Sequence, residues 1–383
     1  MTISILPVNR ERLARTFIRL CETDSPSGEE GRMAALVTEL LCSCGAPPPF
    51  EDDSAAQTGS QCGNLMFRFD GDPAREPLFF CCHLDTVEPG RGIKVIRQGD
   101  RFTSSGDTIL GSDDKSAIAA LIEAWQVLQE HGLPHAPLEF IFTTSEEIGL
   151  LGAKALDPAQ VRAKMGYALD SSGFGRVLIG APASNRLSIR VKGAAAHAGL
   201  HPEKGISAVM LAAKALAAAP SGRIDHETTV NFGTIHGGTA TNIVPEDVLI
   251  EGEVRSHSMV KLERLTREIE AAFRSVISGW QDMSGQAQGR PELDFQAVLD
   301  FPAMKLGMED AVIRRIADAA ASISMELRYE IAGGGSDANI FNGCGLPTAI
   351  VATGMTNVHS TAEEVSLEDM SQLTRLVLAL ALA

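Results

Sequence analysis

The sequence predicts an α/β fold: a mostly parallel sheet with helices on both faces, interrupted by an inserted ferredoxin-like α+β domain. Three observations carry this reading. Residues 1–185 alternate helix-like and strand-like segments, as parallel sheets with crossover helices do. From 186 to 299 the order becomes β-α-β-β-α-β, the split-βαβ arrangement. From 300 to 383 the first pattern resumes, so one domain spans 1–185 and 300–383 and the other spans 186–299.

The elements follow in order. Residues 11–22 and 30–42 carry helical spacing, and 78–84 is a continuous apolar run of strand length. Residues 114–131 place Ile118, Leu121, Ile122, Trp125 and Leu128 on one helical face. Residues 138–143 read as the next strand, and 167–169 end another short apolar run. In the inserted segment 187–191 alternate as a strand, and 206–219 form an Ala-rich helix. Strands at 228–235 and 248–254, a helix at 262–277 and a strand at 293–298 complete it. Beyond 300, residues 309–323 are helical, Gly333-Gly334-Gly335-Ser336 opens a short helix, 347–353 is a strand and 367–382 the closing helix.

Composition bounds the function. The 383 residues are 44% hydrophobic, which excludes a disordered chain, and 36 glycines without a period exclude a fibrous one. That length suits two domains. Lys plus Arg number 33 against 49 Asp plus Glu, and the resulting charge of −16 argues against nucleic acid and anionic membranes as partners. The apolar stretch 376–383 is eight residues long, against about 20 for a bilayer span. Residues 1–10 have no apolar region after a basic start, so no signal peptide is expected. Seven scattered cysteines, an odd number, are expected to be reduced thiols of a cytoplasmic protein. Cys42 and Cys44 lack a second pair to complete a zinc knuckle, and Cys81 and Cys82 read as buried strand thiols.

Five groups carry candidate chemistry. His83-Leu84-Asp85, Ser112-Asp113-Asp114-Lys115, Glu146-Glu147, Asp170 and His359 each lie beyond a strand end or at a helix start. In open α/β sheets, ligands bind at the carboxyl ends of the strands. Each group has a plainer explanation: a satisfied core His83, helix-dipole complementation by Asp113 and Asp114, a solvated Glu146-Glu147 turn, a turn at Asp170, a surface loop at His359. Together they place two His and at least four carboxylates in one region, with Lys115 the only cation in the motifs. Like charges so close require a counter-charge. Imidazole plus carboxylate suits zinc, and also manganese or cobalt, and this many donors suit two ions rather than one.

The segments Cys82-His83-Leu84-Asp85-Thr86-Val87, Gly111-Ser112-Asp113-Asp114-Lys115, Thr144-Ser145-Glu146-Glu147-Ile148-Gly149 and Asn357-Val358-His359-Ser360 resemble those of the co-catalytic zinc exopeptidases. That family includes peptidase T, glutamate carboxypeptidase, dipeptidases and aminoacylase-type amidohydrolases. The likeness runs along essentially the whole chain and is strongest to peptidase T-like members. It implies that His83 and Asp170 bind one metal, that His359 and Glu147 bind the other, and that Asp113 bridges both. Asp85 would orient His83, and Glu146 would be the general base; the residues alone do not tell which Glu of the pair is ligand and which is base. His197, in the small-residue loop 193–199, would reach the oxyanion, in relatives often from the partner subunit, although a solvent-facing His is the plainer reading. Asn242 would bond the substrate and Arg255 would grip its carboxylate, unless Arg255 serves a surface ion pair. Gly334 and Gly335 would offer backbone N–H groups to a carboxylate, or simply make a tight turn.

The resemblance therefore implies a metallo-exopeptidase acting on short peptides in a tripeptidase or aminopeptidase manner, homodimeric through the inserted lid/dimerisation domain. Domain closure would bring His197 and Arg255 to the metals. Carboxypeptidase or N-acyl amino acid deacylase action on the same metals is the alternative. Two remoter readings are a metal-stabilised binding protein without turnover and a structural subunit with empty sites.

Overall fold

The computed structural model describes residues 7–383. The chain divides into two compact units, one running to Gly180 and resuming at Lys305–Ala332 and Ser336–Ala383, the other comprising Ala181–Met304 with Gly333–Gly335.

The first unit is built on a nine-stranded sheet. At its centre Leu138–Thr143, Leu78–His83, Gly166–Ala168 and Thr348–Val351 lie side by side, each pair parallel. Burial on both faces explains their largely apolar character: all six positions of Leu78–His83 and of Leu138–Thr143 are buried, and the one acid among them, Glu139, accepts from Arg68 and from the N–H groups of Arg162 and Ala163. Phe79, Phe80, Phe140, Phe142 and Tyr167 fill this layer, each stabilising the fold by roughly 1.5–3 kcal/mol. Tyr167 donates its hydroxyl to the Val312 carbonyl at 2.8 Å, which satisfies its one buried polar atom. Helices Arg10–Cys21, Ser112–His131 and Leu367–Leu382 pack on one another.

The sheet is mixed rather than uniformly parallel. Leu65–Phe69 runs antiparallel to Leu138–Thr143, and Arg176–Ala181 runs antiparallel to Thr348–Val351. Neither strand is among those expected from periodicity. Both are short and largely buried, so neither shows the alternation that marks a half-exposed strand. A separate three-stranded sheet, from Val95–Gln98, Arg101–Ser104 and Glu364–Ser366, also has no counterpart in the sequence reading. Helix Ser112–His131 begins at a kink: Asp113 and Asp114 have non-helical φ/ψ values of −82°, 104° and −114°, 21°.

The second unit holds a five-stranded antiparallel sheet in the order Gly222–Asp225, Thr228–Gly237, Asp247–Ser256, Ala183–Lys192, Glu292–Phe301. Without the first strand, an edge strand in a hairpin with the second, this is the ferredoxin-like order. Leu187, Ile189 and Val191 alternate inward and meet Leu262, Leu265, Ile269 and Phe273 of helix Met259–Ser278. Ser207 and Ser258 cap the unit's two helices, accepting from the N–H groups of Met210 and Lys261.

Candidate metal centre

Four neighbouring parallel strands end on one edge of the first unit's sheet, and the loops that leave them carry the chemistry. His83 is the last residue of its strand. Glu146 and Glu147 follow the strand that ends at Thr143, Asp170 follows the one that ends at Ala168, and His359 follows the one that ends at Val351. Residues separated by up to 276 positions in the chain (359 − 83) therefore share one edge.

The donors meet at short range. His83 Nε2 lies 3.0 Å from Asp113 Oδ1, and His359 Nε2 lies 3.3 Å from Asp113 Oδ2 and 3.0 Å from Glu147 Oε1. Ligand atoms of His83, Asp113 and Glu147 all fall within 4.8 Å of one another. Atoms about 2.0–2.1 Å from a tetrahedral ion are roughly 3.3 Å apart, so these separations match edges of a coordination shell. Asp113 does not act as an ordinary helix cap. Its backbone is non-helical and its carboxylate reaches the two imidazoles.

A ring of buried groups fixes these donors. His83 Nδ1 lies 2.9 Å from the main-chain carbonyl of Asp85 and 3.6 Å from its carboxylate. That carboxylate accepts the Glu146 N–H at 2.9 Å, the Glu147 N–H at 3.2 Å and the Ser27 hydroxyl at 2.6 Å. Glu30 accepts the N–H and hydroxyl of Ser145, which sits at φ 52° immediately before Glu146. Glu363 accepts from Leu110, Gly111, Ser112 and Asp113. Asp337 accepts the Thr143 hydroxyl at 2.5 Å, while its other oxygen is buried without a partner.

The charges show why a cation belongs here. Burial, then the charge of Asp170, pushes Glu146 well above the usual carboxylate range. Burial, then Asp113, pushes Asp170 up to about 8, and burial pushes Asp337 up to about 6. Burial raises Asp114 as well, and its Oδ1 has no partner. Burial works to raise Asp113 too, but the bonds from His359 and His83 prevail and hold it below its ordinary value. The Asp113 and Glu147 bonds push His359 up to about 10. Lys115, though buried, turns its ammonium to the Thr23 carbonyl at 2.9 Å. Buried carboxylates in such number, faced by imidazole nitrogens, fit divalent ions better than they fit one another.

The other candidates lie in the second unit. His197 is exposed, and its Nδ1 accepts the Gly199 N–H at 3.2 Å. Its loop pairs with that of Asn242, whose carbonyl accepts the Ala198 N–H at 2.9 Å. Arg255 bonds Glu253 at 3.0 Å, and its Nε is buried without a hydrogen-bond partner. Its Nη1 lies 3.9 Å from where a Cβ on Gly334 would stand. Gly333, Gly334 and Gly335 have no positive φ, so the left-handed residue of a backbone nest is missing. Gly335 is small for a different reason: a Cβ there would stand 2.4 Å from the Phe301 ring.

Comparison with known proteins decides the family. The M20 peptidase dimerisation domain matches residues 180–280, and the M42 glutamyl aminopeptidase model matches 87–186. The structure of the aminopeptidase PepT of Bacillus cereus superposes with a TM-score of 0.88 at 38% identity, covering 98% of each chain. The chain belongs to the peptidase T-like metallo-exopeptidases. A tripeptidase of Staphylococcus aureus superposes at 0.89 with 32% identity, again over 98% of each chain. Peptidase T of Exiguobacterium is 26% identical over 278 residues, which cover 72% of this chain and 66% of that protein. This chain is a peptidase of that family, and the grouping of His83, Asp113 and Glu147 supports a divalent-metal enzyme.

Sequence reasoning missed Glu30, Glu363 and the reach of Asp337. Glu363 stands four residues after His359 in an acidic pair, and Glu30 sits in another such pair, Glu29-Glu30. Nothing in a lone acidic pair tells a buried clamp from a solvated surface.

Proposed function

We propose that this protein is a two-metal exopeptidase that releases one residue from short peptides in the manner of a tripeptidase or aminopeptidase. The observation that carries the reading is the Asp113 carboxylate between His83 and His359, 3.0 and 3.3 Å from their Nε2 atoms. In this reading Asp113 would be shared between two ions, His83 and Asp170 would hold one of them, and His359 and Glu147 would hold the other. Zinc is the ion best matched to a shell of imidazole and carboxylate, with manganese or cobalt next. Bound there, divalent ions supply Lewis-acid polarisation of the scissile carbonyl and lower the pKa of water from 15.7 towards 7.

The chain's own residues do the rest. Glu146 takes a proton from the attacking water and returns it to the departing amine nitrogen. Its burial and carboxylate neighbours raise its proton affinity, and bound cations would oppose that rise. Asp85 holds the backbone of Glu146 and Glu147 and lies beside the His83 ring, so base and ligand keep one geometry. In the second unit Arg255 is our candidate for the substrate carboxylate, with Asn242, Gly334 and Gly335 for its peptide groups and His197 for the oxyanion. The match of residues 180–280 to a dimerisation domain supports a homodimer. Seven free thiols suit a reducing cytoplasm.

The test is a mass-spectrometric cleavage assay on metal-loaded protein, with free tripeptides, dipeptides and N-acyl amino acids, each with and without chelator. Chelator-sensitive loss of one residue from tripeptides is expected. Release of acyl groups alone would overturn the peptide assignment in favour of a deacylase.

A further inference from the structure

We propose that Glu363 is the positioning residue that fixes the bridging carboxylate of Asp113 and couples it to the loop of His359. This rests on the assignment of Asp113 as a metal bridge. Glu363 is 1% exposed, and both of its oxygens are fully used. Oε2 accepts the N–H groups of Leu110 and Gly111, each at 2.8 Å. Oε1 accepts the Ser112 hydroxyl at 2.6 Å and the Asp113 N–H at 3.0 Å. A carboxylate offers about four lone-pair sites, and here four consecutive residues occupy them.

The need for such a clamp is visible in the backbone. Gly111 has φ +72°, and no side chain of this segment caps the helix that follows. Asp113 and Asp114 leave helical geometry altogether. The donors of residues 110–113 therefore have no helical acceptors, and left unpaired in the interior they would be costly. Glu363 meets them from a segment 250 residues away in sequence. The side chain of Asp113 then points where its clamped backbone sends it, to His83 and His359.

The same residue closes the second half of the site. Thr356 and Glu364 exchange backbone hydrogen bonds at 2.9 and 3.1 Å, so the loop between them is a closed unit. His359 lies within that loop at φ 61°, and Glu363 stands at its base with its N–H bonded to the Ser360 carbonyl at 3.1 Å. A carboxylate at 363 thus ties the loop of one ligand to the backbone of another. The N–H groups of Leu110, Gly111 and Asp113 can only donate, so both oxygens of the carboxylate must accept. In Glu363→Gln the amide NH2 would confront Leu110 and Gly111 in one orientation and Asp113 in the other, where only the Ser112 hydroxyl could turn to accept.

The experiment compares wild type, Glu363→Gln, Glu363→Asp and Ser112→Ala as full-length protein, with zinc or manganese as the probe metal. Metal content after dialysis, metal affinity by competition with a chromophoric chelator, the melting temperature of the metal-free form, kcat and KM are measured. We expect Glu363→Gln to bind metal about 10–100-fold more weakly, with kcat lowered, KM held and activity partly restored by excess metal. Glu363→Asp, which keeps the charge but shortens the reach, should fall between Gln and wild type. Ser112→Ala removes one of the four bonds and should weaken metal binding in the same direction by a smaller factor, which decides the matter if the glutamine variant does not fold. A Glu363→Gln protein with wild-type metal affinity and kcat overturns the proposal, as does one whose only change is a lower melting temperature. Asp113→Asn is the control: if it keeps full metal content, the bridge assignment itself fails, whatever Glu363 does.

Discussion

Asp85 Oδ1 accepts the backbone N–H of Glu146 at 2.9 Å, so the carboxylate beside the His83 ring also fixes the residue that we propose as the general base. The Asp85 carboxylate accepts from the two glutamate N–H groups and the Ser27 hydroxyl, and the two N–H groups can only donate. An Asp85→Asn variant would turn an NH2 against one of them. We expect kcat/KM to fall about 10–100-fold together with weaker metal retention, read from steady-state kinetics and from metal analysis of the dialysed protein.

Glu146 and Glu147 are neighbours in sequence to which the proposed mechanism gives separate tasks. Glu147 bonds His359 at 3.0 Å, whereas burial and Asp170 raise the pKa of Glu146. Glu146→Gln should keep its metals and lose about 10²–10⁴-fold in kcat. Glu147→Gln should lose metal as well as activity. Metal content measured beside kcat separates the two, and the opposite pattern would exchange their roles.

Removing the metal should destabilise the first unit. Ions that bind only the folded chain stabilise it by about 2.7 kcal/mol per site when free metal is 100-fold above its Kd. Chelation should therefore lower the melting temperature, and readdition should restore it. The ligands must be deprotonated to bind, so metal affinity should fall as pH is lowered. Calorimetric titration at two pH values reads this directly.

Arg255→Lys tests the substrate clamp. Lysine keeps the charge but loses the planar fork that grips a carboxylate at two points. KM for peptides with a free C-terminus should rise about tenfold with little change in kcat, and peptides amidated there should be indifferent to the substitution. Equal effects on both peptide types would remove Arg255 from substrate recognition.

Much of this protein could be read from its linear order. The apolar runs at 78–82 and 140–142 announce buried parallel strands, because a strand covered on both faces has little polar side to show. The switch to antiparallel alternation near 186 announces the second sheet. Imidazole and carboxylate side chains in one acidic chain, each at or beyond a strand end or at a helix start, point to a metal site, since a cation reconciles their charges. Other features could not be read. The antiparallel strands Leu65–Phe69 and Arg176–Ala181 are too short and too buried to alternate. That Asp113 stands between His83 and His359, that Glu363 receives four donors and that Gly335 makes way for Phe301 are facts of close approach between distant segments. Local sequence sets which groups are available and how each segment is inclined to fold. Which groups meet at 3 Å, and which acidic side chain is a clamp and which a solvated surface, is decided only when the packed sheet brings separate loops to one edge and removes the water between them.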